Sequence, residues 1–102
     1  MFIALVAHDR PDAGTLRSEV REAHLAYLRE SGVVRQAGPL LDEAGEMCGS
    51  LLILELPDLA AAERWAEADP YARAGLFASV QLLRWHKAVS YTHLTLPTNR
   101  EV

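Results

Sequence analysis

The opening stretch MFIALVAHD is apolar at every position from Met1 to Ala7. Ile3, Leu5 and Ala7 alternate with Phe2, Ala4 and Val6, so a strand formed here has no polar face. An antiparallel sheet with one wet side alternates apolar with polar residues. The stretch GSLLILEL, residues 49–56, repeats the pattern, nearly all apolar in its middle. Two such strands in a chain of 102 residues demand a sheet covered on both sides. A domain of this size has little apolar surface to spare for that task. The chain's own helices can cover one face, and the expected cover for the other is the same face of a second copy. The sequence therefore predicts a homodimer with its sheets packed together.

The remaining elements follow from periodicity and breakers. RPDAG ends the first strand, and a helix is predicted from about Thr15 to Ser31. Leu16, Val20, Ala23 and Tyr27 recur at spacings of four, three and four, one face of a helix, and Gly32 is placed as its C-cap. VVRQAGPLL reads as a second strand bent at Gly38-Pro39, DEAGEM as a turn, and GSLLILEL as the third strand. In PDLAAAERWAEA, Asp58 is positioned to cap a second helix whose Leu59, Ala62, Trp65 and Ala66 face inward. Pro70 breaks that helix, Tyr71 to Phe77 reads as a further turn or two, and SVQLLRWHKAV is the fourth strand. The order β-α-β-β-α-β is the split βαβ, ferredoxin-like α+β arrangement, an antiparallel sheet with both helices on one face.

Composition narrows the function. The net charge is −4 with acids and bases interspersed, which argues against a nucleic-acid partner. The single cysteine, Cys48, permits no internal disulfide and fits a reducing compartment. No apolar run approaches the roughly 20 residues of a membrane span, and the N-terminus lacks the layout of a signal peptide. The expectation is a soluble, cytoplasmic protein with no membrane partner. The last 13 residues, SYTHLTLPTNREV, stand outside the plan and resemble adapter sequence translated on unrelated reading frames. One domain is expected over residues 1–89, followed by an artefactual or disordered tail at 90–102, and His93 and Arg100 are set aside.

His24 lies about 80° round the helix from Leu16, at the edge of the apolar stripe. It is read as a proton-transfer residue facing a cavity, since an unperturbed imidazole titrates near pH ~6.5, or as a boundary histidine bonded to a backbone carbonyl. Asp69, before Pro70, is either the N-cap of the following turn or a carboxylate that orients His24, and the two roles are compatible. The pairing requires a separation below about 4 Å. Arg21, three residues before His24, reads as an anion-binding or phenolate-binding guanidinium or as a solvated ion pair. Ser50 reads as a hydroxyl donor or as a plain strand-edge serine. No His, Cys and carboxylate spacing fits a metal site, Cys48 has no evident base beside it, and no phosphate-cradling glycine loop is present.

VREAHLAYLRESGVV, QAGPLLD, GSLLILEL and WAEADPYARAGLF, in that order and spacing, resemble the YCII-related proteins across residues 1–89. The resemblance implies a ferredoxin-like domain that dimerises through its sheets, the dimeric α+β barrel. It implies a His–Asp site, with His24 and Arg21 at the Arg-x-x-His-Leu motif and Asp69 at the Asp-Pro-Tyr motif. It places Gly38, Pro39 and Ser50 along a substrate cleft. Relatives resemble cofactor-free lyases or dehydrochlorinases acting on hydroxylated, halogenated rings, and an isomerase shares the wider superfold. The expectation is a cofactor-independent enzyme using His24 and Asp69 for acid–base chemistry on a small cyclic or phenolic metabolite. The alternative is a non-catalytic dimeric module that binds a small ligand or supports a partner enzyme.

Overall fold

The computed structural model of the protein describes residues 1–89. The tail expected at 90–102 lies outside the described residues. The elements are β1 (Phe2–Asp9), α1 (Leu16–Ser31), β2 (Val34–Leu41), β3 (Met47–Glu55), α2 (Leu59–Ala68), α3 (Pro70–Arg73) and β4 (Phe77–Trp85). One antiparallel sheet has the order β2-β3-β1-β4. The predicted β-α-β-β-α-β order is therefore present, with α3 added as a single turn.

The two apolar faces of the central strands have different fates. Ile3, Leu5 and Ala7 of β1 and Leu52 and Leu54 of β3 are buried, and the core gathers them with Trp65 and Ala66 of α2. On the opposite side Leu51, Leu83 and Trp85 are 41%, 49% and 41% exposed. The pairings Ala4–Leu83, Val6–Leu51 and Phe2–Trp85 put these residues on one face.

Local chemistry sets the boundaries. Gly32 ends α1 with φ 70°, a left-handed conformation that glycine adopts without strain. Asp58 caps α2 by accepting the Ala61 N–H at 2.8 Å. Asp42 Oδ1 accepts the N–H groups of Ala44 and Glu46 and closes the turn between β2 and β3. Gly49 has no room for a side chain, because a Cβ there would be driven into the Ala7 carbonyl.

Several expectations are corrected. The helical continuation from Tyr71 stops at Arg73, because Gly75 takes φ 78° and turns the chain into β4 at Phe77, two residues before the expected start at Ser79. β2 is not interrupted at Gly38 and Pro39, which keep register with Leu51 and Ser50; its register shifts fall at Val34/Gln36 and Leu40/Leu41. Pro39 is tolerated there because β2 is an edge strand, where a missing N–H need break no ladder bond. Leu59 is 38% exposed rather than inward-facing. In α1, Ala23 is exposed and His24 is the one buried residue, so the inward face is centred on His24 rather than edged by it.

Candidate functional site

α1, α3 and the β2–β3 half of the sheet enclose a cleft of about 420 Å³. Arg17, Arg21, His24, Ser50 and Tyr71 supply its polar side chains, and Leu25, Leu28, Pro39, Met47 and Leu52 most of its apolar wall.

Asp69 sits between two helices. It is the C-terminal residue flanking α2 and the N-cap of α3, with Pro70 at the first helical position. Its Oδ1 accepts the Tyr71 N–H at 2.9 Å, and the same oxygen lies 2.8 Å from His24 Nδ1. The cap and the histidine contact therefore coexist, well inside the 4 Å limit. Asp69 is 2% exposed and His24 6% exposed, so the pair is removed from bulk water. With the Asp69 carboxylate on Nδ1, that nitrogen is the donor, and in the neutral ring the lone pair falls on Nε2. Nε2 has no protein partner among the described residues, yet it is not sealed off from solvent. The ring stacks on Tyr71 with centroids 3.9 Å apart and planes 14° apart, which fixes its plane as Asp69 fixes its rotation.

The other expected residues are also located. Arg21 lines the cleft and makes no ion pair among the described residues. Gly38 and Pro39 line it from β2. Ser50 is 3% exposed, and its Oγ accepts a hydrogen bond from Arg17 Nη2 at 2.9 Å.

Arg17, Asp9 and Tyr71 were not singled out for chemistry in the sequence. Arg17 Nε and Nη2 reach the two oxygens of Asp9 at 2.8 and 2.7 Å, a fork-to-fork pair. The guanidinium carbon also lies 4.9 Å from the centre of the Tyr71 ring. Burial alone would pull the Arg17 pKa down, but the hydrogen bond and charge of Asp9, with Tyr71 adding to them, outweigh it and push it up. Burial pushes the Tyr71 phenol above its usual range; Arg17 and Arg21 oppose the shift and Asp69 adds to it. Tyr71 is therefore a neutral phenol at physiological pH. Among the described residues no group of three His, Cys, Asp or Glu side chains is placed to hold a metal ion. No described helix is long and apolar enough to cross a membrane.

The model of the YCII-related domain matches residues 1–86. The chain belongs to the YCII-related family. It is 36% identical over 96 residues to Protein YciI of Escherichia coli O6:H1, covering 85% of this chain and 98% of that protein. Among solved structures it is similar to 5-chloro-2-hydroxyhydroquinone dehydrochlorinase (TftG) from Burkholderia phenoliruptrix AC1100, in complex with 2,5-dihydroxybenzoquinone. The match has a TM-score of 0.76 and 33% identity, and covers 84% of this chain and 94% of that one. Rv0793 from Mycobacterium tuberculosis matches at TM-score 0.56 and 18% identity over 88% of this chain and 100% of that one, a likeness of fold alone. The architecture of this YCII-related chain is that of the dimeric α+β barrel proteins.

Proposed function

We propose that this YCII-related protein is a cofactor-independent acid–base enzyme, of the lyase or isomerase type, acting on a small hydroxylated ring. The observation that carries the reading is the buried His24–Asp69 contact of 2.8 Å, with Nε2 left as the cleft's basic nitrogen. The likeness to a dehydrochlorinase supports the substrate class. His24 Nε2 takes the proton of a ring hydroxyl, and Asp69 stabilises the imidazolium that results. Returning that proton to a chlorine-bearing ring carbon makes the carbon tetrahedral. Chloride then leaves with its bonding pair as a second ring hydroxyl loses its proton. The ring ends as a quinone, the net loss is HCl, and only protons and chloride move, so the sequence calls for no redox cofactor. Arg21 and Ser50 hold the substrate's oxygens, and Gly38 and Pro39 leave the β2 side of the cleft open to a flat ring.

The active assembly is a homodimer joined through the outer sheet face, where Leu51, Leu83 and Trp85 are exposed together. The test is chloride release from chlorinated hydroxyhydroquinones by the wild type, His24→Gln and Asp69→Asn. Activity in the wild type, abolished by His24→Gln, is expected. Full activity in His24→Gln overturns the assignment, and binding without turnover in the wild type identifies a ligand-binding module instead.

A further inference from the structure

The polar groups of the cleft are unequal in what they can offer. Arginine has donors and no acceptor. The bond between Arg17 Nη2 and Ser50 Oγ therefore runs one way: Arg17 donates and Ser50 accepts. Ser50 is left with its one hydroxyl hydrogen and one lone pair, and no other partner of its Oγ is present among the described residues. Asp9 matters because it holds two corners of the Arg17 fork, at 2.8 and 2.7 Å, and so fixes where Nη2 points. The side chains of Arg17 and Asp9 are only 12% and 11% exposed, so water does not readily loosen the pair.

We infer that Arg17, clamped by Asp9, is a positioning residue that fills one lone pair of Ser50 and turns its hydroxyl hydrogen into the cleft, and that this corner, with the Arg21 guanidinium lining the same cleft, receives a substrate oxyanion rather than a hydroxyl. The inference rests on the reading of the cleft as a site for hydroxylated rings. Arg21 adds a second donor-only group, and Tyr71 keeps its phenolic hydrogen. His24 Nε2 is then the acceptor to which a ring proton can go. A ligand that fits presents one acidic hydrogen to His24 and a deprotonated oxygen to Ser50.

The experiment measures binding rather than turnover. The probes are 2,5-dihydroxybenzoquinone, whose absorbance reports its ionisation, and its dimethyl ether, which carries no oxyanion. The wild type is expected to prefer the ionised quinone and to shift its ionisation to lower pH on binding. Ser50→Ala should weaken that binding about tenfold or more, the scale of one hydrogen bond to an anion, and return the ionisation toward that of the free compound. The ether should bind about equally to both. Arg17→Lys keeps the charge but cannot span Asp9 and Ser50, so it should mimic Ser50→Ala and add nothing in the Ser50→Ala background. Should Arg17→Lys fail to fold, Asp9→Asn frees the fork and serves the same purpose.

The inference is overturned by additive effects of the two substitutions, by equal losses for quinone and ether, or by no binding of the quinone to the wild type. Because His24 is untouched, discrimination without chloride release would refute the proposed reaction and leave this inference standing.

Discussion

Asp69 carries two hydrogen bonds on one oxygen, and two substitutions separate their worth. Asp69→Asn keeps an Oδ1 acceptor for both Tyr71 N–H and His24 Nδ1, and asparagine caps helices about as well as aspartate. Only the charge is lost, and the stability cost is about 1 kcal/mol or less. Asp69→Ala removes both bonds. The lost cap costs about 1 kcal/mol, and the buried His24 Nδ1–H left without a partner costs about 1–3 kcal/mol more. The sum, about 2–4 kcal/mol, is a large part of the 5–15 kcal/mol that holds a typical domain together. For a domain of this size it lowers the melting temperature by on the order of 10–20 °C. Urea unfolding and thermal melts of the three proteins provide the comparison. Activity should order differently: Asp69→Asn loses about a hundredfold or more despite its stability, because the imidazolium is no longer compensated. Equal stability of the Ala and Asn variants would refute the account of Asp69 as a shared acceptor.

Other expectations follow from the same geometry. Gly49→Ala forces a methyl group against the Ala7 carbonyl and should destabilise the protein by about 2–4 kcal/mol, read from urea midpoints. Gly38→Ala, where a Cβ meets nothing and φ is not positive, should cost no more than about 0.5 kcal/mol in an isolated protomer. The Tyr71 pKa is raised in the folded state, chiefly by burial, so stability is complete below the ordinary phenol value of about 10 and falls as pH rises through the folded value. Tyr71→Phe should reduce that alkaline loss, measured as denaturation midpoints against pH, with the remaining slope including Tyr27, whose pKa is also raised by burial. Leu51→Glu with Leu83→Glu puts charges on the exposed sheet face and should yield a folded monomer in sedimentation, against a dimer for the wild type. An unchanged dimer would place the interface elsewhere.

The strand pattern was legible because a continuous apolar run leaves few choices. Both faces of β1 and β3 are apolar, and pairing these strands at the centre of the sheet buries one face of each beneath α2. The breakers were legible where one residue controls the backbone, as at Gly32 and Asp58. Gly75 was the less legible breaker: Ala74, Leu76 and Phe77 around it suit a helix, and its one positive φ overrides them. The inward set of α2 failed at Leu59 for a related reason. It is the first residue of α2 and is 38% exposed, so helical period alone does not decide burial at a helix end.

The apolar residues of α1 do not mark its inward face, because that face carries charged side chains of the site. At 100° per residue, Arg17, Arg21, His24 and Leu28 fall within an arc of about 60°. All four line the cleft. A charged residue on a buried stripe is costly unless it has a partner, so Arg17 at such a position already implied a carboxylate close by. Asp9, at the end of β1 where the register with β4 shifts, is that partner. The partner could not be identified from spacing, because it comes from another element and its approach depends on the sheet. The signal that could be read was the arginine itself: two guanidinium groups and an imidazole at helical period leave donors pointing one way, and such a face is better suited to receive an anion than to fill a core.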